Sequence, residues 1–184
     1  LTIINTARVK RVDLLEYYDS RQNILDVERN ILFLLDQELK KFKKEKGLKD
    51  FTDLLEDYIL KKDKPKFDVL FIDEAQDLSL IQWDMVRSLW VNAKKTYIAG
   101  DDDQAIFKWA GADVDHFIAL KEEVDGVEVL DQSYRIPGGP IHELSQNIIA
   151  KVQNRFDKDY KPRSEIGLLK RYSDITQVDM SKGN

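Results

Sequence analysis

The stretch Phe67-Asp-Val-Leu-Phe-Ile-Asp-Glu-Ala-Gln-Asp77 decides the predicted fold. The four consecutive apolar residues in its middle are typical of a strand covered on both faces in a parallel α/β sheet. Asp73, Glu74 and Gln76 then follow at the carboxyl end of this strand, where open α/β sheets bind their ligands. Acidic residues after a strand also cap helices, and any one of them alone is explained by that structural role. Together they predict a ligand site.

A second strand with an acidic end is predicted at Thr96-Tyr-Ile-Ala-Gly100, which three aspartates and Gln104 follow. Parallel strands place their carboxyl ends at one edge of a sheet, so both polar ends are expected on the same side. The next segment, Ile106-Phe-Lys-Trp-Ala-Gly111, mixes aromatic, basic and small residues. That composition suits stacking on planar bases, and it suits packing in a core equally well.

Helical periodicity predicts three helices in the first half of the chain. They cover about residues 23–46 with Gly47 as the stop, Phe51–Leu60, and a segment capped by Ser79 that runs to about Trp90. Trp83 and Trp90 are predicted to be core residues.

Further along, a third strand is predicted at Val127–Leu130 and a helix from Pro140, with Ile166–Leu169 as the start of another strand. The alternation of strands and helices indicates an α/β fold.

The composition limits the possible functions. Lys and Arg total 29 against 34 Asp and Glu, giving a net charge of −5, which argues against a surface coated in nucleic acid but permits a narrow channel. The five lysines between Lys40 and Lys46 are interpreted as a solvated face that complements the helix dipole, in preference to a nucleic-acid patch.

Cysteine is absent and histidine occurs twice, which excludes disulfides and disfavours a histidine-based metal site or triad. Oxygen-ligated Mg²⁺ stays possible. No apolar run approaches the roughly 20 residues that span a bilayer, so a cytoplasmic protein without membrane contact is predicted.

Three stretches match a known family in order and spacing. Ile72-Asp-Glu-Ala-Gln-Asp77, Ile98-Ala-Gly-Asp-Asp-Asp-Gln-Ala-Ile-Phe-Lys-Trp-Ala-Gly-Ala112 and Leu130-Asp-Gln-Ser-Tyr-Arg135 resemble the UvrD/Rep/PcrA branch of superfamily 1 DNA helicases. Phe51-Thr-Asp-Leu-Leu55 is similar to the segment that precedes these motifs in the family. The resemblance implies ATP-driven movement along single-stranded DNA, usually 3′ to 5′, with unwinding of duplexes at DNA junctions.

The resemblance also implies a domain organisation. The fold is expected to be α/β, a partial RecA-like P-loop NTPase domain with a helical insertion subdomain at 1–49. The later part of the first RecA-like domain would cover 50–131, and the beginning of a second would cover 132–184. The sequence contains no Gly-x-x-x-x-Gly-Lys-[Ser/Thr] loop, so we interpret the chain as an internal fragment that hydrolyses no ATP alone. Its incomplete sheet is expected to expose an unpaired edge, which favours dimerisation or aggregation.

Carried over position by position, the resemblance implies catalytic roles for Asp73, Glu74, Gln104 and Arg135 and a nucleotide-binding role for Gln76. Asp73 would hold Mg²⁺ through water, and Glu74 would deprotonate the water that attacks ATP. Gln76 and Gln104 would sense the γ-phosphate, since an amide both donates and accepts hydrogen bonds. Arg135 would reach the γ-phosphate from the second domain, and the alternative explanation for it is a surface salt bridge.

The remaining carried-over residues contact the base of the nucleotide or the DNA. Tyr134 would stack on adenine, while Phe107 and Trp109 would stack on bases of single-stranded DNA. Ala110 departs from the family, in which arginine is common at this position. Lys108 is predicted to replace part of the lost phosphate contact.

Two other functions are compatible with the motifs. One alternative to the helicase is the motor of a helicase–nuclease, which shares the same ATPase motifs and which only a nuclease domain elsewhere in the parent would reveal. The chain would also suit an ATPase-dead module that docks on DNA or on another helicase. In such a module Asp73, Glu74, Gln104 and Arg135 would be present but would have no catalytic role.

Overall fold

The computed structural model describes residues 1–21, 27–174 and 176, and they form a mixed α/β fold with two short parallel sheets. Two compact units are present, Leu1–Glu123 and Val124–Asn184. Within the described ranges, no helix is long and apolar enough to cross a membrane.

The first unit holds six helices and two strands within the residues described. They are α1 Thr2–Val9, α2 Leu14–Asp19, α3 Arg29–Lys46, α4 Phe51–Leu60, β1 Phe67–Ile72, α5 Leu80–Trp90, β2 Ala93–Ile98 and α6 Val114–Ala119. Short 3-10 turns follow both strands, at Ala75–Asp77 and Asp102–Gln104.

The predicted helices α4 and α5 are confirmed, and their caps explain where they begin. Asp50 and Asp53 form a reciprocal capping box at the start of α4, and Ser79 and Gln82 do the same for α5. Helix α3 ends, as predicted, at Gly47, whose φ of 63° is a left-handed conformation that glycine adopts without strain.

The region up to the start of α3 differs from the prediction, which placed one helix at about residues 23–46 and none before it. The predicted beginning at residue 23 lies outside the described residues, and α3 is described from Arg29. Helices α1 and α2 were not predicted because they have only 8 and 6 residues, too few to show a period.

Strands β1 and β2 pair in parallel, with Phe67 opposite Ala93 and Ile72 opposite Ile98. The parallel sheet is therefore confirmed, but the prediction that β1 is covered on both faces is wrong. Leu70 and Ile72 are half-buried, whereas Phe71 on the opposite face is 73% exposed. The helical core of this unit packs against one face only, and the Phe71 ring stacks on Tyr97 across the other at 5.2 Å.

The core of the first unit is built around Trp83, which is 1% exposed. Ala75, Val86 and Leu120 complete the buried cluster, and half-buried Trp90, Ile72, Ile98, Leu78 and Phe117 pack against it. The prediction that Trp83 and Trp90 are core residues is confirmed.

An ion cluster joins α1, α3 and α4. Arg8 contacts Asp50 at 2.9 Å and Asp53 at 2.5 Å, and Lys43 contacts the same two carboxylates at 3.0 and 2.6 Å. The prediction of a solvated lysine face is therefore wrong at Lys43, whose side chain is only 15% exposed. Its aliphatic stem is long enough to bring the ammonium group to the N-terminus of α4.

The second unit contains β3 Gln132–Gly138, α7 Pro140–Ile149 and β4 Lys161–Ile166. The helix predicted from Pro140 is confirmed, with proline in its first turn. The strand predicted at Val127–Leu130 is wrong, since this exposed run pairs with no strand in the described chain, and the strand lies at β3 instead. The apolar run at Ile166–Leu169 does not begin a strand, because Ile166 is the last residue of β4 and the other three residues follow it.

Asp53→Asn tests the ion cluster. Burial alone would raise the pKa of Asp53, but hydrogen bonds from Lys43, the Asp50 backbone and Arg8 outweigh it and lower the pKa from 3.8 to about 2. The carboxylate therefore stabilises the folded unit above pH 3.8, and this contribution is lost as the pH falls through about 2. We expect Asp53→Asn to lower the free energy of unfolding by about 1–3 kcal/mol at neutral pH.

The measurement is urea unfolding followed by tryptophan fluorescence, because all three tryptophans lie in the first unit. Asp57→Asn is the control, since Asp57 pairs with Lys49 and both side chains are more than half exposed. It should change stability by less than about 1 kcal/mol. An equal effect of both variants, or an Asp53→Asn effect that persists at pH 2, would show that the cluster does not act as described.

Candidate active site at the ends of β1 and β2

Backbone pairing continues past β1 and β2 into the loops that carry the predicted site. The Ile72 carbonyl accepts a hydrogen bond from the Ala99 N–H at 2.8 Å, and the Ala99 carbonyl accepts one from the Ala75 N–H at 3.0 Å. The two polar motifs are thereby brought to one edge of the sheet, as the parallel arrangement predicts.

Glu74 has a left-handed backbone conformation, with φ 50° and ψ 40°. This conformation costs a non-glycine residue about 1–2 kcal/mol. Its N–H donates to Asp73 Oδ1 at 2.9 Å, and its carbonyl accepts from the Asp77 N–H at 3.0 Å. The turn directs the exposed Asp73 and Glu74 side chains to the surface at the strand end, and such strained residues cluster at functional sites.

Gln76 is buried, unlike its acidic neighbours, and is only 1% exposed. Its Nε2 donates to Glu74 Oε2 at 2.8 Å, and its Oε1 accepts from the Asp101 N–H at 3.0 Å. Exposed Gln104 donates from Nε2 to Asp101 Oδ2 at 2.6 Å. Four predicted site residues, Asp73, Glu74, Gln76 and Gln104, therefore lie in one hydrogen-bonded region.

The donor set fits Mg²⁺ bound together with a phosphate. Asp73 Oδ2 accepts no hydrogen bond from the described residues, so this oxygen is available to a metal-bound water. Within those residues no group of three or more Asp, Glu, His or Cys side chains is arranged to hold a metal. Mg²⁺ commonly uses one or two carboxylates and completes its shell with water and substrate phosphates, which a single exposed carboxylate at a strand end permits.

The predicted DNA-binding aromatics lie in an exposed loop. Phe107 is 42% exposed and Trp109 is 78% exposed, with ring centroids 6.4 Å apart and planes inclined by 52°. Lys108 between them has a side chain that is 71% exposed, and its Nζ lies 3.7 Å from Asp115 Oδ2. The loop offers two aromatic surfaces and one cation to solvent.

This aromatic loop is attached directly to the segment that follows Asp77. Ala112 forms an antiparallel bridge with Ser79, and the Asp113 N–H donates to the Leu78 carbonyl at 3.0 Å. Gly111 has a φ of 113°, and a Cβ there would lie 2.6 Å from Val9 on α1. Glycine thus lets the loop turn back tightly between α1 and the start of α5.

Tyr134 and Arg135 belong to the second unit. Tyr134 is 86% exposed, and Arg135 is exposed and forms no ion pair with any described residue. Ser133, which is not among the predicted site residues, is 3% exposed and its Oγ accepts hydrogen bonds from the Arg135 and Ile136 N–H groups. This hydroxyl fixes the bend at which the two side chains point outward.

The chain has an α/β architecture with acidic residues after its strand ends. It belongs to the family described as UvrD/REP helicase N-terminal domain, whose model matches residues 4–125. Individual relatives include the "ATP-dependent DNA helicase srs2" of Schizosaccharomyces pombe, 33% identical over 133 residues, or 68% of this chain and 15% of that protein. "DNA helicase II" of Escherichia coli is 35% identical over 100 residues, covering 48% and 14% of the two chains.

The "ATP-dependent DNA helicase Rep" of Buchnera aphidicola is 29% identical over 137 residues, or 69% of this chain and 20% of that protein. The matched region thus spans a fifth or less of each of these three relatives. The chemical roles of the individual site residues stay predictions.

The left-handed turn at Glu74 is tested by comparing glycine with alanine at that position. Glycine tolerates a positive φ and alanine does not, so Glu74→Gly should be more stable than Glu74→Ala by about 1 kcal/mol. At exposed Glu38, in the middle of α3, the order should reverse by a similar amount because glycine disfavours helix.

Urea unfolding of the four variants, followed by tryptophan fluorescence, gives both differences. The same order at both positions would contradict the left-handed conformation of Glu74.

Proposed function

We propose that the chain functions within a longer ATP-dependent DNA helicase that couples ATP hydrolysis to 3′ to 5′ movement along single-stranded DNA and to duplex unwinding. The observation that carries the proposal is the joining of two strand ends, which places Asp73, Glu74 and Gln104 in one hydrogen-bonded site. Membership of a helicase family supports it. Residues 1–49 would form a helical insertion, 50–131 part of the first RecA-like domain, and 132–184 the beginning of the second.

In this proposal the two exposed carboxylates divide the chemistry. Asp73 would hold the Mg²⁺ of Mg-ATP through water, and an ion bound there would supply positive charge that stabilises the phosphate oxygens. Glu74 orients the attacking water and accepts its proton. Both side chains are exposed beside the left-handed turn at Glu74, so each is accessible to a different partner.

The proposed roles of the remaining nucleotide-site residues concern the γ-phosphate and the base. Gln104 is exposed at the end of β2 and has an amide that both donates and accepts, which suits a sensor of the γ-phosphate. Arg135 would stabilise charge on the transferred phosphoryl group, and exposed Tyr134 would stack on adenine. Because the chain lacks the glycine-rich phosphate loop, we expect no hydrolysis by the 184-residue chain alone.

On the DNA side, Phe107 and Trp109 would stack on successive bases while Lys108 contacts a phosphate. The bridge between Ser79 and Ala112 supports a link between this loop and the nucleotide site, since Ser79 follows the acidic segment closely along the chain. Movement of the aromatic loop would therefore displace the segment at the nucleotide site, and movement of that segment would displace the loop.

Glu74→Gln in the parent helicase tests the catalytic assignment. It keeps the size of the side chain and removes the base, so the turnover number for ATP should fall roughly 10²–10⁴-fold while a non-hydrolysable ATP analogue still binds. Glu38→Gln, on the exposed face of α3, is the control and should leave turnover unchanged. Undiminished hydrolysis by Glu74→Gln would overturn the proposed role.

Trp109→Ala and Lys108→Ala separate stacking from charge in DNA binding. Trp109→Ala should weaken single-stranded DNA binding by about 1–3 kcal/mol for the base it stacks on, with an unchanged salt dependence. Lys108→Ala should reduce the slope of log affinity against log salt by about 0.7, the value for one phosphate of a single strand.

Both are measured by fluorescence titration of a labelled oligonucleotide with the parent helicase at several salt concentrations. Lys94→Ala is the matched control, because Lys94 is an exposed lysine that pairs with Asp68 at 2.5 Å at the start of β2. If Lys94→Ala and Lys108→Ala change the slope equally, the loop does not provide a specific phosphate contact.

A further inference from the structure

Both polar atoms of the buried Gln76 amide have protein partners. Nε2 donates to Glu74 Oε2 and Oε1 accepts from the Asp101 N–H, while the side chain is 1% exposed. Because the side chain is buried, a phosphate could contact this amide only after the side chain left the core. Gln76 is therefore poorly placed to be a direct ligand of ATP, in contrast to exposed Gln104.

The orientation of this amide is determined by its two partners. Reversing it would place the Nε2 hydrogens against the Asp101 N–H, which is a donor, and Oε1 against the Glu74 carboxylate, which is an acceptor. Both contacts would be repulsive. Only the observed orientation satisfies both neighbours, and no neutral apolar side chain can replace it.

The end of β2 is shaped to fit this amide. A Cβ at Gly100 would lie 2.7 Å from Gln76 Oε1 and 2.9 Å from Phe117 Cζ, both closer than atoms normally approach. The lack of a side chain at Gly100 therefore allows Gln76 to reach the Asp101 N–H. The amide fills a space bounded by both strand ends and α6.

The hydrogen bonds form a continuous path between the two motifs. Glu74 is joined to Gln76, Gln76 to the backbone of Asp101, and the Asp101 carboxylate to Gln104 Nε2 at 2.6 Å. Every link measures 3.0 Å or less. The buried amide of Gln76 therefore links the Gln104 turn to the Glu74 carboxylate.

We propose that Gln76 is a positioning residue that holds the Glu74 carboxylate in its reactive direction and couples it to the Gln104 turn, without contacting the phosphate. This inference rests on the proposed function, in which Glu74 is the base of ATP hydrolysis.

Gln76→Met and Gln76→Glu in the parent helicase test this role. Gln76→Met is similar in length and removes both hydrogen bonds. Gln76→Glu keeps an acceptor for the Asp101 N–H but places a second carboxylate against Glu74. Because a misplaced catalytic group costs about 10²-fold, both variants should lower the turnover number by that order at pH 8 with little change in KM or in ATP-analogue affinity.

Lowering the pH provides a signature that a merely structural role would not give. Protonation of the introduced carboxyl in Gln76→Glu supplies an O–H that can donate to Glu74, so the activity of Gln76→Glu relative to Gln76→Met should rise from pH 8 to pH 6. A constant ratio, or loss of ATP-analogue affinity as large as the loss of turnover, would overturn the positioning role. Inactive wild-type helicase would instead overturn the proposed function itself.

Hydrogen exchange in the 184-residue chain tests the contact without catalysis. Gln76→Met should accelerate exchange of the Asp101 amide roughly tenfold, whereas Gln76→Glu should preserve its protection. Gln37→Met, at an exposed glutamine of α3, is the control and should have no effect. Unchanged Asp101 exchange in Gln76→Met would show that the bond on which the inference depends is absent.

Discussion

Parallel pairing of β1 with β2 is the interaction on which the candidate site depends. It sends both strands to the same edge, and the hydrogen bonds of Ala99 with Ile72 and Ala75 extend the pairing beyond the strands themselves. Those two bonds fix the backbone on either side of Glu74, which lets the left-handed turn persist despite its cost. The burial of Gln76 between the loops is a further consequence of this pairing.

The sheet is supported from one side by apolar packing and connected through α4 to a charged cluster. Trp83 and Ile81 of α5 are fully buried, and burial of a side chain as large as isoleucine contributes about 1.5–3 kcal/mol. Arg8 and Lys43 neutralise the carboxylates at the start of α4, the helix that leads into β1. The chain as a whole is acidic, with a net charge of −5, but at the start of α4 the carboxylates are paired with nearby cations.

The parts of the fold that could be predicted are those encoded by neighbouring residues. Apolar runs followed by polar residues located β1, and capping residues such as Asp50 and Ser79 located α4 and α5. The strand predicted at Val127–Leu130 failed because β-branched composition does not supply a pairing partner. The actual strand, β3, contains Pro137 and Gly138, which disfavour a strand when judged from sequence.

The candidate site shows the same division between local and long-range information. The exposed carboxylates follow from their place at a strand end, so Asp73 and Glu74 could be selected from sequence. The burial of Gln76 could not be predicted from sequence, because it depends on Gly100 and Asp101, which are distant along the chain. The one signal available was a glycine directly before three aspartates, which by itself indicates only a turn.

A crystal structure of the parent helicase with Mg²⁺ and a non-hydrolysable ATP analogue tests the central claim most directly. We expect the metal beside Asp73, the γ-phosphate within reach of Glu74 and Gln104, and Gln76 still buried and bonded to Glu74 and Asp101. A nucleotide bound away from the ends of β1 and β2, or Gln76 turned outward onto the γ-phosphate, would contradict the account.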